Sequence, residues 1–262
     1  MQNIVSLLPV IPVRSSPLET GEMVTQMVFG EHAVILEKQQ KWSFVKLSED
    51  GYQGWVNNLM ITDVPDEQAG KLTGSYPETL GSLFLPVTSN SDERQFYIPA
   101  GSLLYDYEPS GRKFKAGGIV FTCGQQPVFH KDDDLRKCIE QVASKFMNIP
   151  YLWGGKNPFG MDCSGLTQTV FKLFGRQLPR NSRQQVKMGK RVDFIDNAQT
   201  GDLAFFENEQ GKIIHTGILA MNGHIIHASG MVRLDRIDEK GIYNHTLNRY
   251  THKLSIIKNL ID

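Results

Sequence analysis

Up to about residue 130 this chain is a series of short strand-like runs separated by turn residues, and no helical periodicity interrupts them. Val13, residues 23–29, 33–36 and 44–47, and Trp55-Val56 form one series, punctuated by Ser15-Ser16-Pro17, Gly30-Glu31 and Glu49-Asp50-Gly51. Short strands at this spacing predict a small antiparallel barrel. Residues 63–80, with Asp63, Pro65, Asp66, Glu67, Gly70, Gly74 and Pro77, read as a linker, and a second β-rich stretch follows. Its Pro86-Val87 and Gly101-Ser102 echo Pro12-Val13 and Gly30-Glu31 at an offset of roughly 71 to 74 residues, which suggests duplication. The expectation is two all-β barrels, residues 1–62 and residues 63–130 with the linker.

The pattern changes after residue 131. Asp132 to Asp134 can cap a helix that carries Leu135, Ile139, Val142, Ala143 and Phe146 on one face. A Gly/Pro-rich loop, Pro150 to Gly160, leads to a second helix that begins at Cys163 or Ser164. Leu166, Val170, Leu173 and Phe174 form its apolar face, and Gly175 is its stop. Strands return at residues 203–206, 212–221, 224–228 and 253–257. Helices followed by a sheet predict an α+β domain over residues 131–262.

Charge removes several classes of partner. Lys and Arg together number 28, as do Asp and Glu, so the formal net charge is zero. Nucleic acid and anionic membranes both reward a basic excess, so neither is expected as a partner. Cys123, Cys138 and Cys163 are an odd number without framework spacing, which fits reduced thiols. The first basic residue is Arg14, and Pro9 and Pro12 interrupt the early apolar stretch, so no secretory signal is read there. No apolar run is long enough to span a bilayer. With Met1 as the native start, the expectation is a cytoplasmic protein, acting as a monomer.

The sharpest local motif is Met161-Asp162-Cys163-Ser164-Gly165 at a loop-to-helix junction. Free amides and the positive dipole end of a helix lower a thiol's pKa, and the thiolate is the nucleophilic form. A small buried cysteine is the plain alternative, but flanking Asp and Ser in a Gly-rich loop are not core context. His215 and His227 supply a base and its partner, on strands joined around Asn222-Gly223. A two-residue loop would put the two rings on opposite faces. A three-residue loop, Met221 to Gly223 with a left-handed glycine, pairs Gly217 with His227 and makes the histidines diagonal neighbours on one face. The second register is the expected one. A zinc site on Cys163, His215 and His227 lacks the Cys-x-x-Cys or His-Glu-x-x-His spacing such sites carry, so neither metal nor other cofactor is expected.

These residues resemble a known family. Asp162-Cys163-Ser164-Gly165, His215-Thr216-Gly217-Ile218 and His227-Ala228-Ser229 are similar to the motifs of NlpC/P60 cysteine peptidases, whose core is papain-like. Tyr151-Leu152-Trp153-Gly154-Gly155 and Gly201-Asp202-Leu203 extend the match over residues 132–262. Pro12-Val13-Arg14-Ser15, Trp42 and residues 50–56 resemble bacterial SH3 domains. Together they imply an α+β papain-like domain behind two SH3-like barrels. The arrangement resembles the γ-D-glutamyl-L-diamino acid endopeptidases of murein recycling, which act on short peptides with a free N-terminal L-Ala.

That resemblance implies the roles. Cys163 attacks the γ-amide, His215 carries the proton, and His227 orients His215 without a carboxylate's charge. The Cys163 amide and the Tyr151 hydroxyl are candidate oxyanion donors, with a packing role the alternative for Tyr151. Asp162 matches the position that binds the substrate amine, with Ser164 and Ser182 as further substrate contacts. Glu22 and Tyr52 are the candidates for amine contact from a first barrel that walls off the cleft. The alternatives are an exposed strand-end Glu and a barrel-core Tyr. A peptidoglycan hydrolase whose barrels bind polymeric wall is the rival function.

Overall fold

The computed structural model describes residues 2–64 and 77–261; most of the linker read at residues 63–80 lies outside them. The chain divides into two compact units, Met1–His130 and Lys131–Asp262.

In the N-terminal unit, β1 (Asn3–Val5), β2 (Val10–Arg14), β3 (Met23–Val28), β4 (His32–Lys38), β5 (Trp42–Leu47), β6 (Gln53–Asn57) and β7 (Thr62–Val64) form one antiparallel sheet, ordered β3-β2-β6-β5-β4-β1-β7. Period-two alternation drives it. Ile11 and Val13 of β2 point inward to join Ile4, Met27, Val45 and Val56, while the residues between them stay part-exposed. Then β8 (Glu78–Thr79), β9 (Phe84–Ser89), β10 (Gln95–Pro99), β11 (Leu103–Glu108), β12 (Lys113–Ala116) and β13 (Ile119–Cys123) form a second sheet, ordered β10-β9-β13-β12-β11-β8. The five-strand order β3-β2-β6-β5-β4 recurs as β10-β9-β13-β12-β11, so the faint sequence echo corresponds to repeated topology.

The two sheets are not independent. Phe29, from the turn after β3, is buried among Leu85, Ile98, Leu104 and Phe121 of the second sheet. Its ring meets Phe121 edge-on at 5.1 Å, and its carbonyl accepts the Leu103 amide at 3.0 Å. Truncating such an anchor to alanine costs about 3–5 kcal/mol.

The C-terminal unit starts with α1 (Leu135–Ser144), which buries Leu135, Ile139, Val142 and Ala143; Phe146 follows, also buried. The acidic run before it forms a 3-10 turn, Asp132–Asp134, and Asp134 makes no side-chain cap bond. After two short strands, β14 (Lys156–Asn157) and β15 (Gly160–Met161), α2 (Cys163–Leu173) follows. Next come α3 (Ser182–Gln185) and β16 (Lys190–Val192). The remaining strands are β17 (Leu203–Glu207), β18 (Ile213–Ala220), β19 (His224–Ser229), β20 (Met231–Asp238), β21 (Gly241–Asn244) and β22 (Arg249–Asn259). Long β22 pairs with both β17 and β21, so β17 to β22 close into a six-stranded barrel, with β16 added outside β22. Closure leaves no free edge among the six and encloses Ala204, Phe206, Leu219, Ile225, Ile237, Ile242 and Ile257. Both α1 and α2 pack against β18 and β19.

Candidate active site

Asp162 starts the site because it starts α2. Its backbone is extended, and its Oδ1 accepts the Gly165 amide at 2.7 Å, an N-cap that leaves Cys163 in the first turn. Asp162 is also bound on every side. Oδ1 accepts from Ser164 Oγ (3.2 Å) and Arg180 Nη1 (2.9 Å), and Oδ2 from the Gly154 amide (2.9 Å) and Arg180 Nη2. Arg180 is 1% exposed, so this is a fully buried ion pair. Sequence reasoning passed over Arg180, although a buried carboxylate needs such a partner. The carboxylate expected to meet a substrate amine is also paired with Arg180 and ties the loop to the start of the helix.

Ser164 is buried beside it, its Oγ also accepting from Arg180 Nη1 at 3.0 Å. Ser182 is buried at the start of α3. Gln185, at the end of α3, ties that helix to the start of α2, its Nε2 donating to the carbonyls of Ser164 (3.1 Å) and Pro179 (2.8 Å). Tyr151 is half-buried, its backbone bridged to Met161. Burial pushes its phenol up, and the charges of Cys163 and Asp162 push it the same way.

The opposite wall is the inner face of the barrel. Strands β18 and β19 pair with Gly217 opposite His227, and the loop is Met221-Asn222-Gly223 with Asn222 (φ 58°) and Gly223 (φ 68°) both left-handed. This is the register expected from the three-residue loop, and it sets His215 and His227 diagonally on one face. Position 217 has to be glycine, because a Cβ there would lie 2.8 Å from the His227 Cβ. His215 Nε2 and His227 Nδ1 are 2.9 Å apart.

Two further residues complete this wall, and the sequence motifs include neither. His252 on β22 stacks on His215 with ring centroids 4.1 Å apart. Asp235 on β20 lies 3.1 Å through Oδ2 from His227 Nε2, and Arg233 Nη2 donates to its Oδ1 at 3.0 Å. The histidine pair is therefore not without a carboxylate, correcting the all-imidazole expectation. The strand β20 is hard to see in the sequence, because its Arg233, Asp235, Arg236 and Asp238 resemble a solvated run.

Burial decides the resting charges. It pushes the Cys163 thiol up to about 12, and the Asp162 charge adds to this; the amides of Thr216 and Ser164 and the Arg180 cation pull the other way and lose. Burial likewise drives His215 well below the ordinary histidine value, reinforced by His227 and His252. Burial thus favours a neutral thiol and neutral imidazoles, in opposition to the helix N-terminus, which favours the thiolate. The Thr216 contact also puts the Cys163 sulfur against the strand that carries His215.

Glu22 and Tyr52 belong to the N-terminal unit. Glu22 is exposed just before β3, its carbonyl accepting the Ser15 amide at 2.9 Å. Tyr52 packs partly buried against the first sheet's core. Cys123 is buried in the second sheet's core, its thiol pushed up to about 11 by burial, and Cys138 is half-buried on α1. Among the described residues there is no group of three or more His, Cys, Asp or Glu that could hold a metal ion, and no helix is long and apolar enough to cross a membrane.

A cysteine at a helix N-terminus facing an ordered histidine pair defines the peptidase class of hydrolase, and the comparisons agree. Residues 148–251 match the NlpC/P60 family, and residues 13–58 match the bacterial dipeptidyl-peptidase Sh3 domain. The γ-D-glutamyl-L-lysine dipeptidyl-peptidase of Bacillus subtilis is 27% identical over 218 residues, 78% of this chain and 71% of that protein. A probable endopeptidase p60 of Listeria monocytogenes is 40% identical over 100 residues, 38% of this chain and 20% of that protein. A crystal structure of an NlpC/P60 family protein from Bacillus cereus ATCC 10987 superposes with a TM-score of 0.82 at 18% identity, covering 99% of this chain and 100% of that one. The chain carries an NlpC/P60 domain over residues 148–251 and a bacterial SH3 domain over residues 13–58, and it is a hydrolase of the peptidase class.

Proposed function

We propose that this peptidase hydrolyses the bond between γ-D-Glu and the diamino acid in short murein peptides with a free N-terminal L-Ala, as a cytoplasmic recycling enzyme. The observation that carries the reading is the placement of Cys163 at the start of α2, against β18, with the His215–His227 pair on that strand and its neighbour. Specificity is supported by the B. subtilis relative, named for a γ-D-glutamyl-L-lysine bond and similar along most of both chains.

In this reading Cys163 Sγ attacks the γ-amide carbonyl as its proton passes to His215. The Cys163 amide and the Tyr151 hydroxyl receive the developing oxyanion. His215 then gives the proton to the departing amine, and water hydrolyses the thioester. Asp162 binds the free N-terminal amine, with Ser164 and Ser182 as further substrate contacts. The parts of Glu22 and Tyr52 in selecting the amine rest on the family resemblance. The second sheet, by its repeated strand order, is read as a second barrel of SH3 type.

Mass analysis of products from L-Ala-γ-D-Glu-L-Lys and its N-acetylated form tests the substrate. Cleavage of the free-amine peptide alone is expected, and equal cleavage removes amine recognition. A second reading is hydrolysis of polymeric wall, with the barrels as wall-binding modules. Release of peptides from intact sacculi in preference to tripeptide turnover would establish it.

A further inference from the structure

We infer that Asp235 is a positioning residue that sets the tautomers of both histidines and so leaves His215 Nδ1 bare toward the thiol. This deepens the proposed Cys163–His215 chemistry and rests on it. The contacts run in one line along the barrel's inner face. Asp235 Oδ2 is 3.1 Å from His227 Nε2, and His227 Nδ1 is 2.9 Å from His215 Nε2. Asp235 sits opposite Ile225 on the neighbouring strand, which makes it the diagonal neighbour of His227, as His227 is of His215.

A two-imidazole hydrogen bond has no intrinsic direction, since a neutral ring offers one donor and one acceptor and either ring can play either part. If His227 donates from Nδ1, His215 must accept at Nε2 and carry its own proton on Nδ1. It then cannot take another proton from the thiol. An ionised carboxylate only accepts, and that breaks the symmetry. Asp235 is ionised at neutral pH. Burial alone would push it up, but the hydrogen bonds from His227 and Arg233 outweigh burial and hold it below the ordinary aspartate range.

His227 therefore carries its proton on Nε2. Its bare Nδ1 accepts from His215 Nε2–H, and His215 Nδ1 is the ring nitrogen left to meet Cys163. On attack the Sγ–H proton moves to Nδ1 as the S–C bond forms, and the same proton goes to the amine nitrogen as the C–N bond breaks. Between these steps His215 is a cation, and Asp235 supplies the opposing charge one ring away.

The other charged or titratable groups that bear on this line are Arg233, bonded to Asp235, His252, stacked on His215, and Cys163 itself. His252 is held neutral, its pKa lowered to about 4 chiefly by burial, so it does not compete for the positive charge. Arg233 pairs with both carboxylate oxygens, its Nη2 donating to Oδ1 at 3.0 Å and its Nε lying 2.7 Å from Oδ2, so Oδ2 is shared between Arg233 and His227.

The test reads the tautomers directly in the unmodified protein labelled with 15N-histidine. Long-range 1H–15N correlation near neutral pH is expected to show His215 and His227 both protonated on Nε2. A proton on Nδ1 of His215 overturns the inference, and this measurement needs no variant to fold. In Asp235→Asn, which can turn its amide and donate to His227, kcat for the tripeptide is expected to fall by at least about tenfold at little-changed KM, with His215 in mixed tautomers. Asp235→Glu is expected to recover part of the loss. Unchanged kcat and tautomers in a folded Asp235→Asn protein also overturn it. Cys163→Ala separates the two readings: retained turnover defeats the catalytic assignment, whereas the histidine tautomers are expected to be the same in that variant.

Discussion

Two buried charge networks flank Cys163 in the C-terminal unit, and they end differently. The first, around Asp162 and Arg180, closes on itself, with both carboxylate oxygens bonded to Arg180 and to the amides and hydroxyl of the loop-to-helix junction. The second runs from Asp235 through His227 to His215 and stops at one ring nitrogen. A closed network that satisfies every member makes a rigid scaffold. An open one has a place for a proton to arrive. The same ingredients, buried aspartates and cations, hold the thiol on one side and serve its chemistry on the other.

The largest effect expected from this contrast is on the open side. Cys163→Ala is predicted to lower kcat by on the order of 10⁴-fold or more without lowering the melting temperature. A variant that lost stability instead would make Cys163 part of the scaffold.

Breaking the closed network is predicted to act on folding rather than turnover. Arg180→Met leaves Asp162 charged and buried, at about 3–5 kcal/mol of folding stability. Urea unfolding measures it, and Asp162→Asn combined with Arg180→Met is expected to lose less than Arg180→Met alone.

A third measurement asks whether burial or the helix end governs the thiol. With Cys163 pushed up to about 12 and His215 pushed down, iodoacetamide is expected to alkylate Cys163 slowly at neutral pH and faster as pH rises. A rate that stays high and flat into the acid range would mean a preformed thiolate–imidazolium pair.

The smallest effect concerns acid stability, and it appears in both units. Burial lowers the pKa values of His32 in the N-terminal unit and His252 in the barrel to about 4, against an ordinary histidine value of 6.5. As pH falls the unfolded chain takes up these protons first. Their contribution to stability is therefore full above about pH 6.5 and is lost as pH drops toward 4, which thermal melts across that window will register. Melts that hold steady across it would show the two rings to be as open to water as surface histidines.

Much of the site was legible because its signals are local. An acidic N-cap before a helix places Cys163, alternation places His215 and His227, and Met221-Asn222-Gly223 sets their register. The duplication of strand order also left a trace in Pro86-Val87 and Gly101-Ser102. For the thiol, the helix end that favours a thiolate was visible in the sequence, and the depth of burial that opposes it was not.

By itself, then, the sequence determined that Cys163 starts a helix and that His215 and His227 share a strand face, since capping, period-two alternation and turn length act over a few residues. Tertiary structure decided the rest. Barrel closure by β22 buries one face of the charged-looking strand β20, with Asp235 against His227, and brings His252 onto His215 from far along the chain. A loop-borne arginine becomes the partner of Asp162 only when α3 folds back on α2. Such pairings follow from which surfaces lose their water together, and no stretch of the chain carries that information alone.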